Sequence, residues 1–324
     1  MRRLLALLAL PLVQAGLPSD GPPPLPPRTL PLGLTELAPD AATTDAVAEL
    51  GRRLFFSPEL SRDRTLSCAS CHRPERGFAD DRARSAGVGG AETERNTPSV
   101  LNRAWSPRLM WDGRAASLEE QVLLPIENPR EMDLALDEAL RRVAAHTELA
   151  AHFRQAFGTA PTRETLARAL AAYLRRLVLG DSPVDRFRAG EIDALDDAER
   201  AGLWFYESRG GCWRCHAGPT FSDEDFHATG VGVREGEPEP GRAAVSGDPA
   251  DRGKWKTPSL RGLVATAPYM HDGSLATLEE VVEFYRRGGN PHANLDPALK
   301  PIEMGAEDAR NLVAFLRALS RTGR

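Results

Sequence analysis

Apolar residues recur three and four positions apart in five long stretches, 44–56, 133–157, 162–179, 196–207 and 306–319, and β-branched runs are scarce. Such spacing gathers the apolar side chains on one face of a helix. Two more helix starts carry a capping pattern: Ser117-Leu118-Glu119-Glu120 and Thr277-Leu278-Glu279-Glu280 each set a hydroxyl three residues before a glutamate. The first of these helices meets Pro125 after two turns, whereas the second runs through Tyr285 to a Gly288-Gly289 stop. The pattern predicts a mostly α protein with little β-structure.

At the N-terminus the pattern changes. Arg2-Arg3, an apolar run from Leu4 to Val13 and small residues at Val13 and Ala15 read as a signal peptide over residues 1–15. The run is short and broken by Pro11, so it is not a bilayer span, and no Cys follows it as a lipid anchor site. The mature chain is expected to be periplasmic and without a membrane anchor. Residues 16–40 are rich in proline and predict an extended lead-in. What remains, about 290 residues, suffices for two domains of ordinary size.

The two halves match at a fixed offset. Thr97-Pro98-Ser99 recurs as Thr257-Pro258-Ser259, Trp111-Asp112-Gly113 as His271-Asp272-Gly273, and Leu118-Glu119-Glu120 as Leu278-Glu279-Glu280, each pair 160 residues apart. A duplicated unit is the reading of such self-similarity. It divides the chain into 41–180 and 181–324, with the boundary at Gly180-Asp181-Ser182-Pro183.

All 4 cysteines fall in two runs, Cys68-Ala69-Ser70-Cys71-His72 and Cys212-Trp213-Arg214-Cys215-His216. In C-x-x-C-H two thiols add across haem vinyl groups and the histidine ligates the iron. A zinc knuckle would need further Cys or His at ligand spacing, and a redox dithiol would not carry His after both pairs. The chain is therefore expected to bind two covalent c-type haems.

With the register set, the two haem surroundings can be compared position by position. Tyr285 corresponds to Pro125, Val281 to Gln121, and His271 to Trp111. A phenol can serve as a sixth iron ligand, but a proline side chain cannot, so one haem reads as open and the other as capped. Met270 and Met304 compete with Tyr285 for the capping role, and Tyr285 alone would read as a packed core tyrosine. Glu131 is a candidate acid–base group for peroxide, against the alternative of a solvated loop glutamate. His146 and His152 read as helix-surface or packing residues, His227 and His292 as solvated loop residues. His271 is expected to support a haem or its carboxylates by hydrogen bonding.

These residues resemble the bacterial di-haem cytochrome c peroxidase/MauG family over roughly residues 45–320. The resemblance rests on both C-x-x-C-H runs, R-N-T-P-S-V-L-N at 95–102, W-D-G-R at 111–114, E-E-Q-V-L-L-P-I-E-N-P-R-E-M at 119–132 and T-A-P-Y-M-H-D-G-S-L-A-T-L-E-E at 266–280. It implies an N-terminal domain with a peroxidatic haem on His72 and a C-terminal domain with an electron-transfer haem on His216. By the same likeness Gln121, Pro125 and Glu131 line the peroxide pocket, and Trp111 passes charge between the haems. Asn96, with the carbonyls of Thr266 and Pro268, would hold a structural calcium ion.

Departures from the family's reductively activated members point to the MauG-like branch. Val88 stands where those carry a distal His, and Tyr285 stands where they carry Met. Gly210, by contrast, replaces the surface Trp that precedes the second haem motif in MauG; Trp204, Trp213 and Trp255 remain as substitutes.

The function expected is an enzyme reducing hydrogen peroxide with electrons from a small cytochrome c or cupredoxin. A maturase oxidising a specific protein substrate and a non-catalytic di-haem electron carrier are the alternatives. The formal charge of -5 argues against a nucleic-acid partner.

Overall fold

Helix ends in this protein are set by short polar side chains that accept the otherwise unpaired N–H groups of the first turn. A computed structural model describes residues 22–36 and 43–321. The expected signal peptide therefore lies outside the described residues.

Thr44 caps α1 (Asp45–Phe56) by accepting from Val47 N. The first haem motif forms the single turn α2 (Cys68–Cys71). Ser117 caps α3 (Leu118–Gln121), which stops after one turn rather than the expected two. Pro125 instead occupies the first turn of a separate helix, α4 (Leu124–Glu127), where its missing N–H has no helical partner to lose.

The stretch expected as one helix over 133–157 is two, α5 (Leu136–Ala145) and α6 (Thr147–Phe157). His146 separates them in an extended conformation and its Nδ1 accepts from Leu149 N at 3.4 Å, so it is a cap, not a residue on a continuous helix. Likewise α7 (Arg163–Leu174) ends short of the expected Leu179. Asn102 takes over there: its N–H donates to Leu177 O at 2.9 Å, and its side chain bonds Leu179 N and O at 2.8 and 2.9 Å.

The second half contains α8 (Pro183–Arg188), α9 (Asp197–Glu207), α10 (Ala243–Ser246), α11 (Leu278–Arg286) and α12 (Ala306–Ala318). Between them β1 (Phe226–Ala228) and β2 (Lys254–Lys256) pair antiparallel, with His227 opposite Trp255. The molecule is thus mostly helical with one small two-stranded sheet.

Two apolar cores form. One packs α1 on α7 and gathers side chains from Leu50 to Leu177; the other packs α9 on α12 and gathers Val184 to Leu319. Residues 22–36 form no helix or strand and lie along the body, where Leu32 O accepts from Asp181 N and Gly33 O from Arg261 Nη2.

Equivalent turns recur 160 residues apart. The bridge Leu109–Ala115 matches Tyr269–Leu275, and Met110 and Met270 both take a left-handed backbone, with φ of 69° and 74°. These turns carry Trp111 and His271.

Candidate functional site

Each C-x-x-C-H motif forms part of the wall of a cavity. The first cavity has a volume of about 190 Å³ and opens to solvent. Cys68, Cys71 and His72 line it together with Gln121, Pro125 and Glu131. The second, of about 170 Å³, is lined by His216, Met270 and Tyr285.

Both histidines are prepared in the same way. His72 Nδ1 lies 3.1 Å from Phe78 O, and His216 Nδ1 lies 3.0 Å from Phe221 O. With Nδ1 bonded to a carbonyl, Nε2 is left as the ligand atom. Burial pushes both imidazoles down in pKa, favouring the neutral ring. The thiols go the other way: burial pushes Cys68 up to about 12 and Cys71 and Cys212 to about 11. They are held as thiols, unlike the lowered thiols of reactive dithiols.

In the first cavity Glu131 accepts a hydrogen bond from Asn128 Nδ2 at 2.6 Å. Burial nonetheless raises its pKa, more than Asn128 and Arg114 lower it. This is no solvated loop glutamate. Pro125 presents only ring carbons, and the Gln121 Nε2 contact is to Met110 Sδ at 3.9 Å. Val88 is buried and its N–H donates to Glu131 O at 2.8 Å, tying the loop to the glutamate's backbone.

In the second cavity burial raises the Tyr285 phenol in pKa, so the hydroxyl stays protonated until a cation draws the proton off. Met304 packs against the second apolar core and does not line the cavity, which leaves Tyr285 and Met270 there. Asn96, Thr266 and Pro268 line this cavity too. The Asn96 amide donates to Arg82 O at 3.0 Å, turning Oδ1 away from that carbonyl.

The two cavities share a wall. Trp111, Met110, Asn96 and Arg103 line both. The Trp111 indole N–H donates to Asn96 O at 2.8 Å, and its carbonyl accepts from Lys256 N at 2.8 Å. Met110 and Met132, which from the sequence could fill the distal side of the first haem, both line the first cavity, whereas Asn128 and Arg103 were not singled out. Asn128 stands three residues before Glu131 and Met110 stands 160 before Met270, so both had a readable signal.

Two further histidines are held away from solvent. His271 lines neither cavity: it is 3% exposed, stacked on Trp255 with ring centroids 3.9 Å apart and edge-on to Trp111 at 6.4 Å. Both of these neighbours line the first cavity, and the His271 Nε2 is buried without a hydrogen-bond partner. His227 is not a solvated loop residue but sits on β1, with Nδ1 2.6 Å from Asp296 Oδ2 and Nε2 2.9 Å from Asp223 Oδ2. Among the described residues, Cys215, Asp223 and His227 form the one His/Cys/Asp/Glu group with metal-site spacing. Both His227 nitrogens are already bonded and Cys215 belongs to the haem motif, so this is a clamp and not a metal centre.

Exposure separates the tryptophans. Trp204 and Trp213 are 59% and 47% exposed, while Trp255 is buried. The Gly210 position is closed to a larger side chain, because a Cβ there would meet the Phe205 ring at 2.7 Å.

Two thiols and a carbonyl-oriented imidazole on the first cavity, and on the second a carbonyl-oriented imidazole that directly follows the Cys212/Cys215 pair, fit haem c. The comparisons agree. The family model described as di-haem cytochrome c peroxidase matches residues 45–193, and one described as RoxA-like, cytochrome c-like matches 254–288. The methylamine utilization protein MauG of Methylorubrum extorquens is 41% identical over 281 residues, 86% of this chain and 78% of that protein. Cytochrome-c peroxidase IdrP1 of Pseudomonas sp. strain SCT is 34% identical, over 98% of this chain and 91% of its own length. The crystal structure of a MauG-like protein associated with microbial copper homeostasis superimposes with a TM-score of 0.79 at 34% identity, covering 94% of this chain and 95% of that one. Fold, paired thiol–imidazole sites and relatives together place the chain in the di-haem cytochrome c peroxidase/MauG family.

Proposed function

We propose that the protein is a periplasmic di-haem c-type peroxidase, built from two duplicated haem units that meet near residues 180–183. Hydrogen peroxide takes two electrons and two protons to become two waters, the electrons coming from a small cytochrome c or cupredoxin. The observation that carries this reading is the asymmetry of the cavities: Gln121, Pro125 and Glu131 share the His72 cavity, whereas Tyr285 shares the His216 cavity.

Haem bound at His72 supplies the iron that takes up peroxide and holds oxidising equivalents. The chain's residues do the rest. Glu131 takes the proton from the peroxide oxygen nearer the iron and returns it to the departing oxygen. Asn128 holds that carboxyl in place, and burial keeps its proton affinity high enough for it to act in both directions. Pro125 offers no donor atom and leaves room for substrate. Trp111, on the shared wall, conducts charge between the sites while Asn96 O holds its N–H. Tyr285 would supply a phenol to a haem iron held by His216, and an oxygen ligand there would favour the oxidised form. Asn96 Oδ1 and the Thr266 and Pro268 carbonyls are proposed calcium ligands, hard oxygens suited to that ion.

A second reading, a maturase that oxidises a partner protein, is favoured by the exposed Trp204 and Trp213 near the second motif. Both offer oxidisable rings at the surface. A di-haem electron carrier with two capped irons is the reading from another class.

Electron paramagnetic resonance of the resting ferric protein, followed by peroxide addition with reduced cytochrome c, tests the proposal. One high-spin and one low-spin haem with peroxide-dependent cytochrome oxidation is expected. Two low-spin signals and no reaction would leave only the carrier. Oxidation confined to one co-expressed protein would select the maturase.

A further inference from the structure

The wall between the cavities holds a charge imbalance. Arg103 is buried there, its side chain 12% exposed, and it lines both cavities. Its Nε donates to Leu101 O at 2.9 Å, but its Nη1 comes no closer than 3.6 Å to the carboxylate of Glu224. That carboxylate is engaged elsewhere: Glu224 Oε2 accepts from Lys256 Nζ at 2.6 Å. Lys256 is itself buried and lines the second cavity. Two cations thus share one anion, and Glu224 Oε1 is left with no hydrogen bond.

Other arginines at these cavities are matched. Arg261 makes a two-pronged bond to Asp185 at 2.7 and 2.8 Å, and Arg95 pairs with Glu239 at 2.8 Å. A buried guanidinium without a full partner costs several kcal/mol, so the missing negative charge has to come from what occupies the cavities. The planar fork of arginine suits a carboxylate. Burial depresses the Arg103 pKa, consistent with a site still short of its anion. The backbone beneath it is rigid, because neighbouring Asn102 is locked to Leu179 through both amide atoms.

We propose that Arg103, seconded by Lys256, receives propionate carboxylates from both haems and so couples the two sites electrostatically. This proposal rests on the di-haem reading. It makes Arg103 a positioning residue: removing its charge leaves propionate charge uncompensated beside both irons and favours the ferric state of each.

The test uses the haem-loaded protein with Arg103→Gln and Arg103→Lys. Pyridine haemochrome analysis first counts the haems; a wild-type count other than two fails the di-haem reading itself, separately from this one. With two haems present, spectroelectrochemistry is expected to show both midpoint potentials falling in Arg103→Gln and partly recovering in Arg103→Lys. Resonance Raman should show the propionate bending band shifted at both haems. Unchanged potentials, or a shift confined to one haem, would overturn the proposal. Should Arg103→Gln fail to fold, the Raman band of Arg103→Lys decides: replacing the fork by a point charge shifts it, and an unmoved band overturns the assignment.

Discussion

Glu131 and His227 show the two ways in which a side chain's surroundings set its chemistry. Glu131 is raised in pKa by burial and held by one donor, Asn128. Glu131→Gln keeps the shape but removes the exchangeable proton. Stopped-flow measurement should find the peroxide step slowed by about 10²–10⁴ with the resting optical spectrum unchanged; an undiminished rate would take Glu131 out of the mechanism. His227 is pushed up to about 10 by the Cys215 thiol, Asp296 and Asp223. A raised folded-state value means that its contribution to stability is complete below about pH 6.5 and is lost as pH rises through the folded pKa. In the haem-loaded chain Cys215 is a thioether and the carboxylates act alone, so the loss begins at lower pH. Thermal unfolding from about pH 6 to about pH 10 should show His227→Gln flattening that decline. That Glu131 would lie beside the first C-x-x-C-H run was stated from motifs that are local in sequence. The His227 clamp was not, because Asp296 lies 69 residues away and no short-range pattern announces it.

At the scale of elements, capped starts were legible and ends less so. Thr277 accepts from Glu280 N at 3.1 Å and Glu280 reaches back to Thr277 N at 3.1 Å, as S/T-x-x-E patterns do. This box begins the helix that carries Tyr285. Thr277→Ala should cost about 0.5–2 kcal/mol in chemical denaturation; a loss indistinguishable from zero would mean that packing alone holds α11. Helix ends within 133–157 and 162–179 went unread because neither is set by proline. His146 breaks one by capping the next turn, and Asn102, far earlier in the chain, claims the carbonyls that would have extended the other. The sheet was missed for a like reason: three-residue strands from distant segments are fixed by their partner, not by their own alternation.

At the scale of the molecule, the mostly helical class and the family were readable from spacing and motif, while the long-range ties were not. Within the second half Asp185 and Arg261 form one such tie, both almost wholly buried, with Arg261 reaching Gly33 O of the lead-in as well. The arginine holds the Asp185 carboxyl below its usual range despite burial. Asp185→Ala strands the guanidinium and should cost about 3–5 kcal/mol, read from denaturant midpoints; a loss under about 1 kcal/mol would show that Arg261 finds another partner. Trp111 marks a joint between the halves. Its carbonyl is held by Lys256, the next residues by Arg242 at 3.0 Å, and Asn96, which anchors its ring, takes its own N–H bond to His271 O at 2.8 Å. The tryptophan that belongs to the first half by sequence is thus moored by the second. Fragments cut between the halves would each keep one C-x-x-C-H run, yet the first would lose the struts by which the second now steadies its indole.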